Sequence, residues 1–170
     1  SYLDVYPGYY TSGDGGYIDE DGYVFIMGRT DDVINVAGHR LSTGEMEEVV
    51  AMHDAVAECC VIGINDDLKG QLPLGLVLLK NGYEDQADSV QEELIALVRQ
   101  EIGALACFKI AMVVPRLPKT RSGKILRKLL RQIASGEEFT IPSTIDDPNS
   151  IYDIQELMAE RGLIVDQLAG

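Results

Sequence analysis

Lys124 closes a short basic loop, Pro118-Lys119-Thr120-Arg121-Ser122-Gly123-Lys124, and is the strongest candidate in this sequence for a catalytic cation. Gly123 allows the backbone to approach a ligand closely, because glycine carries no side chain. An ammonium group at such a place can neutralise charge that develops on a phosphoryl or carboxylate oxygen. The loop is not a nucleotide P-loop, because the first glycine of that spacing is missing. By itself such a loop is more often a solvated basic face on an amphipathic helix.

The sequence predicts a helix directly after Gly123. Ser122 is a suitable N-cap, and Gly136 marks the end of a helix over residues 122–135. Lys124 would then lie in the first helical turn, where free amides and the helix dipole favour an anion.

Three further motifs contain residues that could bind a nucleotide. In the motif Ser12-Gly13-Asp14, the carboxylate of Asp14 can accept hydrogen bonds from both hydroxyls of a ribose, although Gly-Asp is common in turns. Arg29 precedes two acids, a pattern that is usually a surface ion-pair cluster. In Gly38-His39-Arg40, the guanidinium of Arg40 could bind phosphate, whereas His39 is more often structural.

Composition limits the function classes. The chain has 170 residues and a formal net charge of −14, which argues against a general nucleic-acid or anionic-membrane surface. The region from Lys109 to Arg131 is rich in Lys and Arg and has no Asp or Glu, so we expect one anionic ligand there. No apolar run reaches the roughly 18 residues of a membrane helix. No signal peptide is recognisable at the start.

The three cysteines, Cys59, Cys60 and Cys107, show no zinc-site spacing. Cys59 and Cys60 lie in an apolar run and are predicted core residues. A reducing, intracellular compartment is the expectation.

The predicted fold class is α+β, with a small three-stranded sheet and about three helices. A β-hairpin-like segment precedes this unit, and a C-terminal extension with a short helix follows it. The first two helices each begin at a predicted capping box, Ser42 with Glu45 and Ser89 with Glu92. The predicted strands are 55–64, 72–80 and 110–115, and the predicted helices are 42–53, 89–103 and 122–135.

Together these motifs resemble the AMP-forming acyl-CoA synthetases, which are adenylate-forming enzymes. The likeness covers roughly residues 8–150 and is greatest for the short-chain branch, the acetyl- and propionyl-CoA synthetases. It is carried, in order, by Tyr10-Thr11-Ser12-Gly13-Asp14, Asp21-Gly22-Tyr23, Gly28-Arg29-Thr30-Asp31-Asp32-Val33-Ile34-Asn35-Val36-Ala37-Gly38-His39-Arg40 and Leu117-Pro118-Lys119-Thr120-Arg121-Ser122-Gly123-Lys124.

The resemblance implies a two-step reaction. A carboxylic acid and ATP form an acyl-adenylate and pyrophosphate, and coenzyme A then takes the acyl group and releases AMP. In this family a small C-terminal domain rotates against a large N-terminal domain between the two steps. We therefore expect residues 1–30 to end the N-terminal domain, 31–140 to form the mobile domain and 141–170 to be an extension. The nucleotide loop and acid pocket are missing, so this chain alone is expected to be inactive.

The resemblance also implies roles for single residues. Lys124 matches the adenylation lysine, which bridges the acid's carboxylate and the α-phosphate. Asp14 and Arg29 match residues at the nucleotide's ribose, and Asp31 matches the hinge. Arg40 matches a residue that meets nucleotide phosphates or coenzyme A.

For the second step, Gly38 matches the residue that lines the pantetheine tunnel, with Ala37 beside it where acetate enzymes often carry Ser. Arg99 matches a residue at the phosphorylated end of coenzyme A, although it could also be an ordinary exposed helix residue. Some relatives bind a cation through backbone carbonyls, which would correspond here to Ala51, His53 and Val56.

The implied ligands are a small carboxylic acid, ATP with Mg²⁺, AMP and coenzyme A, and the implied protein partner is the N-terminal domain. Neither nucleic acid nor membrane is expected as a partner. A cytoplasmic location is predicted, or the mitochondrial matrix in a eukaryote. Two alternatives stay open: a longer-chain or aryl acid ligase of the same family, and a stand-alone module that binds an anionic partner without catalysis.

Overall fold

A computed structural model describes residues 6–30 and 32–164, apart from the side chain of Met27. The chain divides into two compact units, residues 1–33 and 34–170. Asp31, the predicted hinge, lies outside the described residues. The mixture of helices with largely antiparallel strands confirms the predicted α+β class.

The first unit contains one antiparallel strand pair, β1 (Asp14–Ile18) with β2 (Val24–Arg29). The turn between them is closed by Asp19, whose carboxylate accepts the backbone N–H groups of Asp21 at 3.1 Å and Tyr23 at 2.9 Å. The predicted hairpin-like segment is therefore confirmed.

The second unit is built on a five-stranded sheet. Its long strands are β5 (Val56–Asp66) and β6 (Gly70–Leu79), and β7 (Ile110–Val113) runs parallel to β6. These are the three predicted strands. Two short strands that the prediction did not assign to the sheet, β3 (Val33–Val36) and β4 (His39–Ser42), extend it in the order β4-β3-β6-β5.

Helices cover both faces of this sheet. The layer of α1 (Thr43–Ala51) and α2 (Ala87–Glu101) packs on one face, and that of α3 (Arg127–Ala134) and α4 (Asn149–Glu160) on the other. Successive strand residues point to opposite faces. On β5, Cys60 and Ile62 accordingly join the core under α3 and α4, while Val61 joins the core under α1 and α2. This explains why β5 is an unbroken apolar run.

Two of the predicted helix starts are wrong. The third helix begins at Arg127, five residues after the predicted cap Ser122, because the loop before it forms a hairpin of its own. The second begins at Ala87, after a 3-10 turn at Glu84–Gln86, and the hydroxyl of Ser89 donates to Gln86 inside the helix. Only the first prediction holds: Ser42 caps α1 and accepts the N–H of Glu45 at 3.4 Å.

The C-terminal extension packs into the same core. Ile151, Ile154 and Met158 of α4 are fully buried, and full burial of a side chain of this size contributes about 1.5–3 kcal/mol. Arg116 also forms ion pairs with Asp147 and Asp153 at the start of the helix. The backbone N–H of Asn149, followed by Arg116, lowers the pKa of Asp147 below its ordinary value. Apolar burial dominates here, because exposed ion pairs add little.

Within the described part of the chain, none of the helices has the length and apolar character required to cross a membrane.

The packing predicts opposite effects for two glycine-to-alanine changes. In β6, a Cβ on Gly75 would lie 2.5 Å from Cζ of the buried Phe108, so Gly75→Ala should destabilise the fold by about 1–3 kcal/mol. In α1, a Cβ on Gly44 would lie 3.5 Å from Oγ of Ser42, an ordinary contact. Gly44→Ala should therefore be neutral or stabilise by up to about 1 kcal/mol. Denaturant unfolding of both variants measures the difference, and equal effects would contradict this packing.

Candidate functional site

Lys124 lies on a tight hairpin rather than on a helix, so the prediction that placed it in a first helical turn is wrong. Thr120 donates its N–H to the carbonyl of Lys124 at 2.8 Å, and its Oγ1 accepts the N–H of Lys124 at 3.1 Å. Gly123, with φ of +84°, takes the left-handed conformation that this turn requires. Ser122, Gly123 and Lys124 are exposed, so the ammonium projects from a loop without surrounding packing.

The backbone of the C-terminal extension pairs with one strand of this hairpin. Thr120 bridges Ile145, Arg121 donates its N–H to Thr144 at 2.9 Å, and Asp146 donates to the carbonyl of Lys119, also at 2.9 Å. These bonds join the loop to the segment that leads into α4. We define the Lys124 hairpin as residues 119–125.

The second candidate loop is the two-residue turn Ala37–Gly38, which joins β3 to β4. Both residues have positive φ, +48° and +86°, as a tight hairpin turn demands. The N–H of Ala37 donates to the carbonyl of Lys69 at 2.9 Å and ties this turn to the turn between β5 and β6. No described atom lies within 4 Å of a Cβ built on Gly38, so this face is open. Arg40 follows on β4 and is exposed.

A basic cavity of about 320 Å³ includes Arg99. Lys69 and Lys109 also line it, together with the thiol of Cys107, which accepts a hydrogen bond from the Lys69 ammonium at 3.2 Å. Arg99 stands in the last turn of α2. Lys69 and Lys109 were not among the predicted site residues, since they lie 30 and 10 positions from Arg99 and only the fold brings them together.

The two candidate loops lie at opposite ends of β5. Lys119 of the Lys124 hairpin pairs with Glu58 near the start of the strand. The Ala37–Gly38 turn is bonded to Lys69, just beyond its end. At about 3.3 Å per residue, the strand between these attachment points is roughly 25–30 Å long. The second unit thus carries Lys124 and Gly38 on separate surfaces.

Asp14 and Arg29 lie opposite each other in the strand pair of the first unit. Nη1 of Arg29 is 3.8 Å from the Asp14 carboxylate and donates to the carbonyl of Ser12 at 3.1 Å. The hydroxyl of Ser12 accepts the N–H of Asp14 at 3.2 Å. The pair therefore presents an exposed carboxylate beside a guanidinium, which together offer an acceptor and a donor to a polar ligand.

The three residues predicted to bind a cation through carbonyls surround the junction of α1 and β5. Nδ1 of His53 accepts the N–H of Ala55 at 3.2 Å, so Nε2 carries the proton and donates to Glu93 at 2.9 Å. The His53 carbonyl accepts the N–H of Val56 at 3.0 Å and keeps a second lone pair. Ala51 ends α1. Among the residues described, no His, Cys, Asp and Glu side chains cluster in a way that could hold a metal ion.

A model described as the AMP-binding enzyme C-terminal domain matches residues 45–124, from the first turn of α1 to Lys124 itself. Residues 45–124 belong to the AMP-binding enzyme C-terminal domain family.

Relatives extend the likeness beyond this domain. Acyl-CoA synthetase short-chain family member B, mitochondrial, of Dictyostelium discoideum is 53% identical over 91% of this chain and 22% of its own length. An uncharacterized protein of Pseudomonas aeruginosa is 65% identical over 95% of this chain and 26% of its own length. The chain therefore spans about a quarter of the length of these curated relatives.

Among solved structures, an acyl-CoA synthetase of Brucella canis is similar, with a TM-score of 0.59 and 35% identity. The match covers 78% of this chain and 24% of that one. Sequence and fold comparisons thus both find similarity to proteins named acyl-CoA synthetases.

The fold brings some predicted residues together and separates others. Ala37 and Gly38 are joined to the Arg99 cavity through Lys69, whereas Lys124 belongs to the other end of β5. Asp14 and Arg29 form a pair of their own in the other unit. The roles assigned to these residues stay predictions.

The domain also predicts a ranking of cysteine reactivity. Burial, and secondly the charge of Glu47, raises the pKa of Cys59 to about 11 from its ordinary value near 9, so it stays a thiol at pH 8. Cys60 is fully buried, whereas Cys107 lines the open basic cavity. A thiol reagent at pH 8 should label Cys107 quickly and the other two only after unfolding. Cys107→Ser is the control, and rapid labelling that persists in this variant would contradict the ranking.

Proposed function

We propose that this chain is the C-terminal part of an AMP-forming short-chain acyl-CoA synthetase. The overall reaction would convert a small carboxylic acid, ATP and coenzyme A into acyl-CoA, AMP and pyrophosphate by way of an acyl-adenylate. The similarity to proteins named acyl-CoA synthetases supports acid–CoA ligase chemistry, and the Dictyostelium relative supports the short-chain branch over a longer-chain or aryl acid ligase.

The observation that carries this proposal is the position of the two loops at opposite ends of β5. Two reactions that share one active site need two different surfaces of a small domain. A domain with Lys124 at one end and the Ala37–Gly38 turn at the other offers both by rotating as one body. Residues 31–140 would form this mobile domain, with Asp31 as its hinge.

In the first step, Lys124 would place its ammonium between the acid's carboxylate and the α-phosphate. Both groups are negative, so the nucleophile and its target repel each other until a cation lies between them. The exposed, uncrowded hairpin lets the side chain enter a site formed by another domain. The gain would be larger in the transition state, where charge builds on the bridging oxygens.

In the second step, the open turn at Gly38 would border the channel for the pantetheine arm, with Ala37 beside it. The cavity formed by Lys69, Arg99 and Lys109 would take the phosphorylated end of coenzyme A, since it places three cationic side chains around one space. Lys69 lines this cavity and also accepts the N–H of Ala37, so it would hold the cavity and the Ala37–Gly38 turn at a fixed spacing.

Asp14 would accept the ribose hydroxyls of ATP or AMP, with Arg29 at the same side of the nucleotide and Arg40 at a phosphate. Mg²⁺ would arrive with ATP. A further cation could be coordinated by the backbone carbonyls of Ala51, His53 and Val56. The N-terminal domain would be the chief partner. A cytoplasmic location is proposed, while the Dictyostelium relative's name places that protein in mitochondria.

Lys124→Ala in the full-length protein tests the first role. We expect acid-dependent ATP–pyrophosphate exchange to fall by at least about 10³-fold, the order expected when a charge-stabilising group is lost. Thioester formation from supplied acyl-adenylate should stay nearly unchanged. Lys128→Ala, an exposed lysine on the following helix, is the matched control. Equal loss in both half-reactions would refute the division of labour.

Gly38→Leu tests the second role. The added side chain should block the pantetheine arm, so thioester formation should be lost while ATP–pyrophosphate exchange continues. Gly82→Leu is a matched control, because Gly82 also has a positive φ, +92° against +86°, and equally open surroundings. Both changes therefore carry the same backbone strain. If Gly82→Leu lowers thioester formation as much as Gly38→Leu does, strain alone explains the loss.

A further inference from the structure

Two glutamates bind basic residues on either side of Lys124, one at the start of the hairpin and one just beyond its end. At one end, Glu58 of β5 pairs with Lys119. At the other, Nη2 of Arg127, the first residue of α3, donates to both carboxylate oxygens of Glu47 on α1, at 2.7 and 2.5 Å. The loop is thus fixed to the α1–β5 part of the domain by charged contacts on both sides of Lys124.

Glu47 is the firmer of the two attachments. The same carboxylate accepts the backbone N–H of Val61 at 2.8 Å, so its position is set by the centre of β5. The Glu47 and Arg127 side chains are 18% and 28% exposed, against 40% for Glu58. Charge-assisted bonds that are shielded from water hold their geometry better than exposed ones. A rigid chain of contacts therefore leads from the sheet to a residue three positions from Lys124.

The tip of the hairpin has no comparable support. Ser122, Gly123 and Lys124 are exposed, and the bonds described at the tip run among Thr120, Ser122, Gly123 and Lys124. The placement of the ammonium must therefore come from the base of the hairpin. Displacement of a reacting group by 1 Å can cost about 10²-fold in rate.

We propose that Glu47 is a positioning residue for adenylation. It acts through Arg127 to fix the position of the Lys124 hairpin relative to β5. This inference rests on the proposed role of Lys124. It adds one requirement to that role. The carboxylate of Glu47, 77 positions before Lys124, controls adenylation and does not control thioester formation. The Ala37–Gly38 turn is attached elsewhere, so thioester formation does not depend on Glu47.

Glu47→Gln in the full-length protein is the direct test. Glutamine has nearly the same shape and can still accept the N–H of Val61, but it loses the charge that pairs with Arg127. We expect kcat of ATP–pyrophosphate exchange to fall by about 10- to 100-fold with KM for ATP and the acid changed by less than about twofold. Thioester formation from supplied acyl-adenylate should stay within about twofold.

Matched variants separate positioning from a general loss of structure. Glu48→Gln changes the exposed neighbour on the same helix and should leave both half-reactions unchanged. Arg127→Gln should reproduce the loss, and the double variant Glu47→Gln/Arg127→Gln should lose no more than either single one, since both remove the same contact. If Glu47→Gln fails to fold, Arg127→Lys serves instead, because it keeps the charge but has a shorter side chain without the planar guanidinium. It should slow adenylation alone.

These experiments also separate the positioning role of Glu47 from the proposed adenylation role of Lys124. Should Lys124→Ala leave exchange intact, the proposed function fails and the inference fails with it. Should Lys124→Ala abolish exchange while Glu47→Gln and Arg127→Gln leave it unchanged, only the positioning role is overturned. Equal losses in both half-reactions of Glu47→Gln would show a structural role and would overturn it too.

Discussion

The antiparallel pairing of β5 with β6 is the interaction on which the rest of the larger unit depends. It runs along almost the whole of both strands, from Val56 opposite Leu79 to Asp66 opposite Gly70. Its two faces supply the residues that α1 and α2 cover on one side and α3 and α4 on the other. Its length also separates the surface that carries Lys124 from the surface that carries Gly38. Stability and the spacing of the two candidate loops therefore have the same origin.

The core and the loops are held by different kinds of interaction. The core is held by apolar burial, which has no preferred direction. The Lys124 hairpin instead depends on directional contacts, the Glu47–Arg127 and Glu58–Lys119 pairs and the backbone bonds to residues 144–146. Such contacts set position more closely than they set stability, since partly exposed ion pairs contribute modest free energy. The proposed role of Lys124 requires this kind of support, because the loop would then have to deliver one cation to a site on another domain.

Regular elements with a strong period were predictable. The three main strands and the stretches that form the first two helices follow from apolar runs and helical spacing, because burial on one or two faces leaves a direct mark on composition. Helix starts were less predictable. Ser122 and Ser89 have the side chain of an N-cap, yet Ser122 forms part of a hairpin turn and Ser89 lies inside α2. A hydroxyl can satisfy backbone groups in turns as well as at caps, and the sequence does not say which it will do.

The amino-acid sequence by itself determined the fold class, the family likeness and the identity of the candidate residues, because each depends on local pattern or on ordered motifs. Only the tertiary structure decided that Lys124 stands on a hairpin braced by the C-terminal extension, that Lys69 and Lys109 join Arg99 around one cavity, and that Glu47 reaches Arg127. These pairings link residues far apart in the chain. Their partners are chosen when the strands align and the helices dock, and no local pattern records that choice.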